Sequence, residues 1–170
     1  MSLMRGDLAS YRGDGLVTYD TATRLEWLNL GLTANHSCLD AQGLRFVTHG
    51  GFRFATGQEV GELWAHAGIS RQSGPGGPDP ASTAGVDALL RLLGGSSLSG
   101  SINSALVVER SAGFVTETAA FVAMTPVVRF ELHLNRTSSP MNGYGDSGGG
   151  AWHAGDRDEA TGVYLVRARP

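Results

Sequence analysis

Three residues of this 170-residue chain have the types and the order needed for nucleophilic catalysis. Ser147 lies in "GYGDSGGGAW" (143–152), His36 in "LTANHSC" (32–38) and Asp87 in "VDALLRL" (86–92). A serine hydroxyl becomes a nucleophile when an imidazole takes its proton and a carboxylate holds that imidazole in the right tautomer. His36, Asp87 and Ser147 would divide those roles between them.

The Gly-Asp-Ser-Gly-Gly run resembles the nucleophile setting of chymotrypsin-like serine proteases. Three features of the surrounding chain argue against the full machinery. In that family the Asp lies in an extended stretch between strands, whereas Asp87 sits in a run with helical periodicity. Its natural partner there is Arg91, four residues on, a pairing worth about 0.3–0.5 kcal/mol on a helix surface. The segment 148–170 is short for the far wall of a specificity pocket and a second barrel. The middle of the chain reads as helix rather than as barrel strands. "GYGDSGGGAW" is therefore expected to be a surface loop, its glycines allowing positive φ and Asp146 making a local turn. A serine hydrolase using Ser147, His36 and Asp87 stays as the alternative.

The elements that would position these residues can be read from periodicity. "GLVTYDTATRLEWLNL" (15–30) predicts two short strands about the polar turn Asp20-Thr-Ala-Thr. Ser37 can cap a short helix through "CLDAQGL". In "ATGQEVGELWAHAG", Thr56 and Glu59 form a capping box. Val60, Leu63, Trp64 and Ala67 then share a helix face, and Gly68 takes the C′ role. A second helix starts at Ser82 or Thr83, with the stripe Val86, Leu89, Leu90 and Leu93 and a stop at Gly94-Gly95. "ALVVER", "AAFVAM", "VVRFELHL" and the closing "GVYLVRA" are strand-like. Residues 70–82 and 94–104, rich in Gly, Pro and Ser, are expected to be long flexible loops. Residues 1–14, opening with "MSLMRGD", read as a tag or disordered lead.

One domain accommodates this length. With 13 Lys+Arg (all arginine), 16 Asp+Glu and a net charge of −3, the chain lacks the basic excess of a sequence-independent nucleic-acid binder. No stretch is apolar and long enough to span a bilayer. A single cysteine, Cys38, excludes an intrachain disulfide framework and has no convincing redox or nucleophile setting. The Arg-Gly-Asp at 5–7 recurs at 12–14 and is assigned no adhesion role.

Two segments and the C-terminal strand resemble a different family. They carry Leu16, Tyr19, Asp20, Thr23, Leu25, Trp27 and Leu28; Gly51, Phe52, Arg53, Ala55, Thr56, Glu59 and Val60; and Tyr164, Leu165, Val166 and Arg167. Together they are similar to exported bacterial proteins with a PEP-CTERM sorting tail, the substrates of exosortase. The tail itself is absent here, so the resemblance implies a protein trimmed at both ends. "GFRFATGQEV" has a looser similarity to domains with a D-W-R-L-P-T type motif, some of them C-type-lectin-like. That likeness implies an early strand beside the last one, either Val17–Tyr19 or Leu25–Leu28 against Val163–Val166. Trp27, Phe52, Phe54 and Trp64 are expected in the core, with Arg53 a buried or semi-buried donor to strand carbonyls.

The expected fold is α+β, a mostly antiparallel sheet with two amphipathic helices and paired N- and C-terminal strands. The resemblance implies an exported address at the cell envelope or in extracellular matrix, and a non-catalytic role in exopolysaccharide or biofilm material. A purely structural, protein-binding surface domain is a further alternative. Tyr144, Asp146 and Trp152 are the candidate ligand surface, since an aromatic beside polar groups suits stacking on a sugar ring. No cofactor is expected. Asp156, Asp158 and Glu159 in "GDRDEATG" offer oxygens of the kind calcium takes, without a complete loop signature.

Overall fold

In the computed structural model, residues 3–8, 13–70, 72–73, 81–94, 97–100, 107–115, 124, 126–135, 142–147, 151–159 and 161–169 are described. For 72–73, 97–100, 107–114, 126, 135 and 142–147 the description is of the backbone alone. The fold is α+β, with two sheets and four α-helices among the described residues.

The first sheet draws on both ends of the chain. It contains β1 (Leu3–Gly6), β2 (Val17–Asp20), β3 (Leu25–Leu28), β12 (Leu165–Ala168) and β4 (Arg53–Phe54), in the order β1-β2-β3-β12-β4 and antiparallel throughout. Val166 pairs with Trp27, so of the two strands that could lie beside the C-terminal one the structure selects Leu25–Leu28. β1 lies in the segment expected to be a tag or disordered lead. It is ordered because Leu3 is buried and because two aspartates stitch the following loop. Asp7 accepts from the Gly13 and Gly15 amides at 2.9 and 3.0 Å, and Asp14 from the Leu8 and Leu16 amides. Both Arg-Gly-Asp carboxylates are thus spent on the chain's own backbone.

The second sheet contains β7 (Val107–Val115), β8 (Pro126–Asn135) and β9 (Asn142–Ser147) at its centre. β6 (Ser97–Gly100) and β11 (Thr161–Val163) share the outer edge of β7, while β9 and β10 (Trp152–His153) share the far edge of β8. β5 (Gln72–Ser73) closes the row on β9. β11–β7 and β5–β9 are parallel and the other pairs antiparallel. β9 corrects the expected loop: its six residues take consecutive partners along β8, from Asn135↔Asn142 to Phe130↔Ser147. The long edge of β8 supplies a ladder that a local glycine count does not reveal. β5 and β6 likewise fall inside the segments expected to be loops, and of "AAFVAM" only Met124 is among the described residues.

The helices behave as their periodicity predicts. α3 (Gly57–His66) starts on the Thr56–Glu59 capping box and buries Val60, Leu63 and Trp64, with Gly68 in the left-handed region at φ 81°. α4 (Thr83–Leu93) buries Val86, Leu89, Leu90 and Leu93, and ends at Gly94 with φ 83°. Both stripes enter one cluster with Trp27, Phe130, Leu132, Leu134, Tyr164 and Val166. The Trp64 and Phe130 rings meet edge-on at 5.3 Å. Burying each such side chain contributes about 1.5–3 kcal/mol. A second cluster forms under α1 (Cys38–Gln42) and α2 (Arg45–Thr48) from Val17, Leu28, Cys38, Ala41, Phe52, Val127, Val163 and Leu165. No helix among the described residues is long and apolar enough to cross a membrane.

Trp27, Phe52 and Trp64 are core aromatics as expected, and Phe54 is partly buried. Arg53 donates to a strand carbonyl as expected, that of Phe54, but it is not buried: its side chain is 54% exposed and forks onto Glu59 at 2.9 and 2.5 Å. β4 is an edge strand, so its side chain reaches along the surface to the capping carboxylate instead of inward. The one fully buried carboxylate in the described ion pairs belongs to Asp20. It accepts from the Ala22 amide, the Thr23 hydroxyl and His66 Nδ1 (2.7 Å), tying the β2–β3 turn to the last turn of α3.

α4 approaches the end of α3 closely at Gly85, where an added Cβ would lie 2.2 Å from the Ala67 carbonyl oxygen and 2.9 Å from Ile69 Cγ1. Gly85→Ala is therefore expected to lower unfolding free energy in urea by about 1–3 kcal/mol, the range for overpacking. Gly43→Ala, whose Cβ would sit at an ordinary 3.5 Å from the Asp40 carbonyl, should stay within about 0.5 kcal/mol of the parent.

Candidate functional site

After β3 the chain turns over in a 3₁₀ turn, Leu30–Leu32, begun by Asn29, whose side chain accepts from the Gly31 amide. Thr33 follows, fully buried. Its hydroxyl accepts the Val163 amide at 2.8 Å and lies within donating distance of the Leu30 and Val163 carbonyls, at 3.2 and 3.1 Å. The next residue but one, Asn35, stands at φ 60°, a conformation asparagine tolerates better than most residues, and its amide donates to the Thr161 carbonyl. Leu39 donates to the Ala154 carbonyl. The segment 33–39 is thereby laced to the connection between β10 and β11.

Ser37 caps α1 as the sequence predicts, with a partner that makes the cap reciprocal. Its Oγ accepts the Asp40 amide, and Asp40 Oδ2 accepts from the Ser37 amide (2.8 Å) and hydroxyl (2.6 Å). The other oxygen, Oδ1, accepts from Arg157 Nη2 at 2.7 Å across 117 positions of sequence. These donors, the Ser37 hydroxyl foremost and then the Ser37 amide and Arg157, hold the Asp40 carboxyl below its ordinary range. Around this pair lies an open groove of about 520 Å³, lined by Ala34, Asn35, His36, Asp40, Gly43, Leu44 and Arg157.

His36 lines this groove. Its Nδ1 lies 3.0 Å from the Ala34 carbonyl, which can only accept, so Nδ1 carries a proton and is the donor of that bond. In a triad, Nδ1 would face the carboxylate. Asp87 is instead on α4, bonded to Arg91 at 2.9 Å, the i,i+4 partner expected. No hydrogen bond or ion pair among the described residues joins His36 to Asp87. Ser147 ends β9, its backbone opposite Phe130 and beside Ser73; its side chain lies outside the described residues. Cys38, two residues from His36, is buried, and burial pushes its thiol up to about 12, so it is protonated near neutral pH.

The three expected ligand residues lie along one strand rather than around one point. Trp152 pairs with Val127, Asp146 with Glu131 and Tyr144 with His133. Val127 and His133 are six residue steps apart on β8, about 20 Å at 3.3 Å per residue. The side chains of Tyr144 and Asp146 lie outside the described residues. Between those positions a chain of polar contacts runs along β8 and on to Asp158: His133 Nε2 to Glu131 at 2.9 Å, Glu131 to Arg129 at 2.5 Å, and Arg129 to Asp158 at 4.0 Å. The Arg129 guanidinium sits 5.0 Å above the half-buried Trp152 ring.

The acidic segment is absorbed locally. Asp156 accepts from the His153 amide at 2.7 Å, Asp158 accepts from the Thr161 hydroxyl at 3.1 Å and faces Arg129, and Glu159 is exposed. Among the described residues no group of three or more His, Cys, Asp or Glu is placed to share a metal ion. Asn35, Asp40 and Arg157 were not singled out from sequence. Asp40 was within reach, because Ser37 and an acid three residues on spell a capping box. Arg157 was not, since its partner lies in a distant segment.

No family model, curated protein or solved structure matches the chain.

Because the Ser37 hydroxyl contributes most to the lowered Asp40 carboxyl, Ser37→Ala should raise its titration midpoint by carboxylate NMR further than Arg157→Ala does. The depressed carboxyl contributes stability above its ordinary range, near 3.8, and loses it as pH falls through the folded midpoint, so both variants should flatten acid unfolding there. Thr33→Val keeps the shape and strands the buried Val163 amide. Urea titration should show a loss of about 1–3 kcal/mol, the cost of an unsatisfied buried group.

Proposed function

We propose that this chain is an exported, non-catalytic surface or matrix module that binds exopolysaccharide at the groove between the 33–44 segment and Arg157. The observation that carries the reading is the character of that groove: open and lined largely by polar side chains, with the Asn35 side-chain amide and most of the Arg157 guanidinium unpaired among the described residues. Such a surface suits a hydrated ligand rich in hydroxyl groups better than an apolar one. The exported address is supported by the likeness of both chain ends to the sorting-tail proteins.

Retention of the purified protein on a panel of immobilised bacterial polysaccharides tests the reading. Selective retention is expected. Asn35→Gly removes the amide while suiting φ 60°, and should weaken retention by about threefold or more, the loss of one hydrogen bond. No retention on any polysaccharide would overturn the proposal. So would covalent labelling by a fluorophosphonate probe that disappears in Ser147→Ala, which would move the chain to the serine hydrolases.

A further inference from the structure

The groove is unbalanced in hydrogen-bonding capacity. Its one carboxylate, Asp40, is already engaged at both oxygens, by Arg157 on one and by the Ser37 amide and hydroxyl on the other. Arg157 gives one Nη2 hydrogen to that pair; its remaining N–H groups have no partner among the described residues, and its side chain is 60% exposed. The Asn35 side chain adds two amide hydrogens on the same lining. The nearby carboxylates of Asp156 and Asp158 are turned to His153, Thr161 and Arg129, so they do not compete for these donors. The free side-chain donors of the groove are thus concentrated on Asn35 and on a planar guanidinium whose position is held by Asp40.

From this surplus we infer that the groove selects a carboxylate-bearing sugar, a uronic-acid unit of a polysaccharide, with Arg157 forking onto the carboxylate and Asn35 donating to the sugar oxygens. The inference rests on the glycan reading above and narrows its ligand class. A guanidinium matches a carboxylate with two parallel hydrogen bonds, which an ammonium cannot reproduce. Asp40 acts as the positioning residue: it fixes the guanidinium through one nitrogen and leaves the other edge for the ligand. Since Arg157 is largely exposed, the contact is screened by salt, and binding is expected to weaken as ionic strength rises.

Affinity electrophoresis or column retention on polygalacturonate, dextran and dextran sulfate, with thermal unfolding of each variant as the folding control, decides it. Preferential retention on polygalacturonate is expected, falling about tenfold in both Arg157→Ala and Arg157→Lys, because lysine keeps the charge and loses the fork. Asp40→Asn keeps Arg157 but loosens its hold, and should weaken polygalacturonate retention less than Arg157→Ala does; free galacturonate should elute the bound protein. Equal retention on dextran and polygalacturonate, unchanged in Arg157→Ala, would overturn this inference and leave the glycan reading standing. Retention on dextran sulfate as strong as on polygalacturonate, preserved in Arg157→Lys, would reduce the site to general attraction for polyanions and overturn it too. Failure to bind any of the three, or any other polysaccharide, would remove both readings together.

Discussion

The buried hydroxyl of Thr33 is the contact on which the arrangement of the site depends. It sits between the 3₁₀ turn after β3 and the strand β11, accepting the Val163 amide and reaching two carbonyls. The approach is tight: a Cβ on the neighbouring Gly162 would fall 2.6 Å from the Leu30 oxygen and 2.7 Å from the Thr33 hydroxyl. Nothing larger than glycine fits there without moving the turn. Because β11 pairs with β7 and β12 with β3, this one contact fastens the turn between the two sheets. The Asn35 and Leu39 amides then find their acceptors on Thr161 and Ala154, and the groove acquires its second wall.

Among the described residues, three carboxylates fasten distant segments by serving local and remote donors at once. Asp40 closes the cap of α1 and holds Arg157. Glu59 closes the cap of α3 and holds Arg53 on β4, and its carboxyl is correspondingly held below the ordinary range, by Arg53 foremost. Asp20 closes its own turn and holds His66. A capping carboxylate is already oriented by its helix, so recruiting a second partner costs little further side-chain entropy. The same economy explains why the acidic segment 156–158 and the two Arg-Gly-Asp repeats form turns and loop closures: their oxygens are taken by nearby amides and hydroxyls.

Two residues of the catalytic echo, His36 and Asp87, have partners of their own for a related reason. A triad is a statement about three side chains meeting in space, and sequence order alone says nothing of distance. His36 is turned by the Ala34 carbonyl next to it, and Asp87 by Arg91 one helical turn away. Both are captured by neighbours within four residues, which are always at higher effective concentration than a partner half a chain distant.

Local information was sufficient where the structure is local. The caps at Ser37 and Thr56, the stripes Val60–Trp64 and Val86–Leu93, the glycine stops at 68 and 94 and the strand pair about Asp20 are all set by spacings of two to four residues, and they stand as the sequence implies. The pairing of the last strand with Leu25–Leu28 was narrowed to two choices, which period alone could not separate. What the sequence did not contain in readable form was every feature that needs two remote segments. β9 is a strand because β8 offers it an edge, β1 is ordered because Leu3 finds a core, and Arg157 becomes a groove wall because Asp40 waits for it. Side-chain periodicity encodes which face of an element is apolar; which element covers that face, and which polar group meets another across it, is decided only when the sheets close.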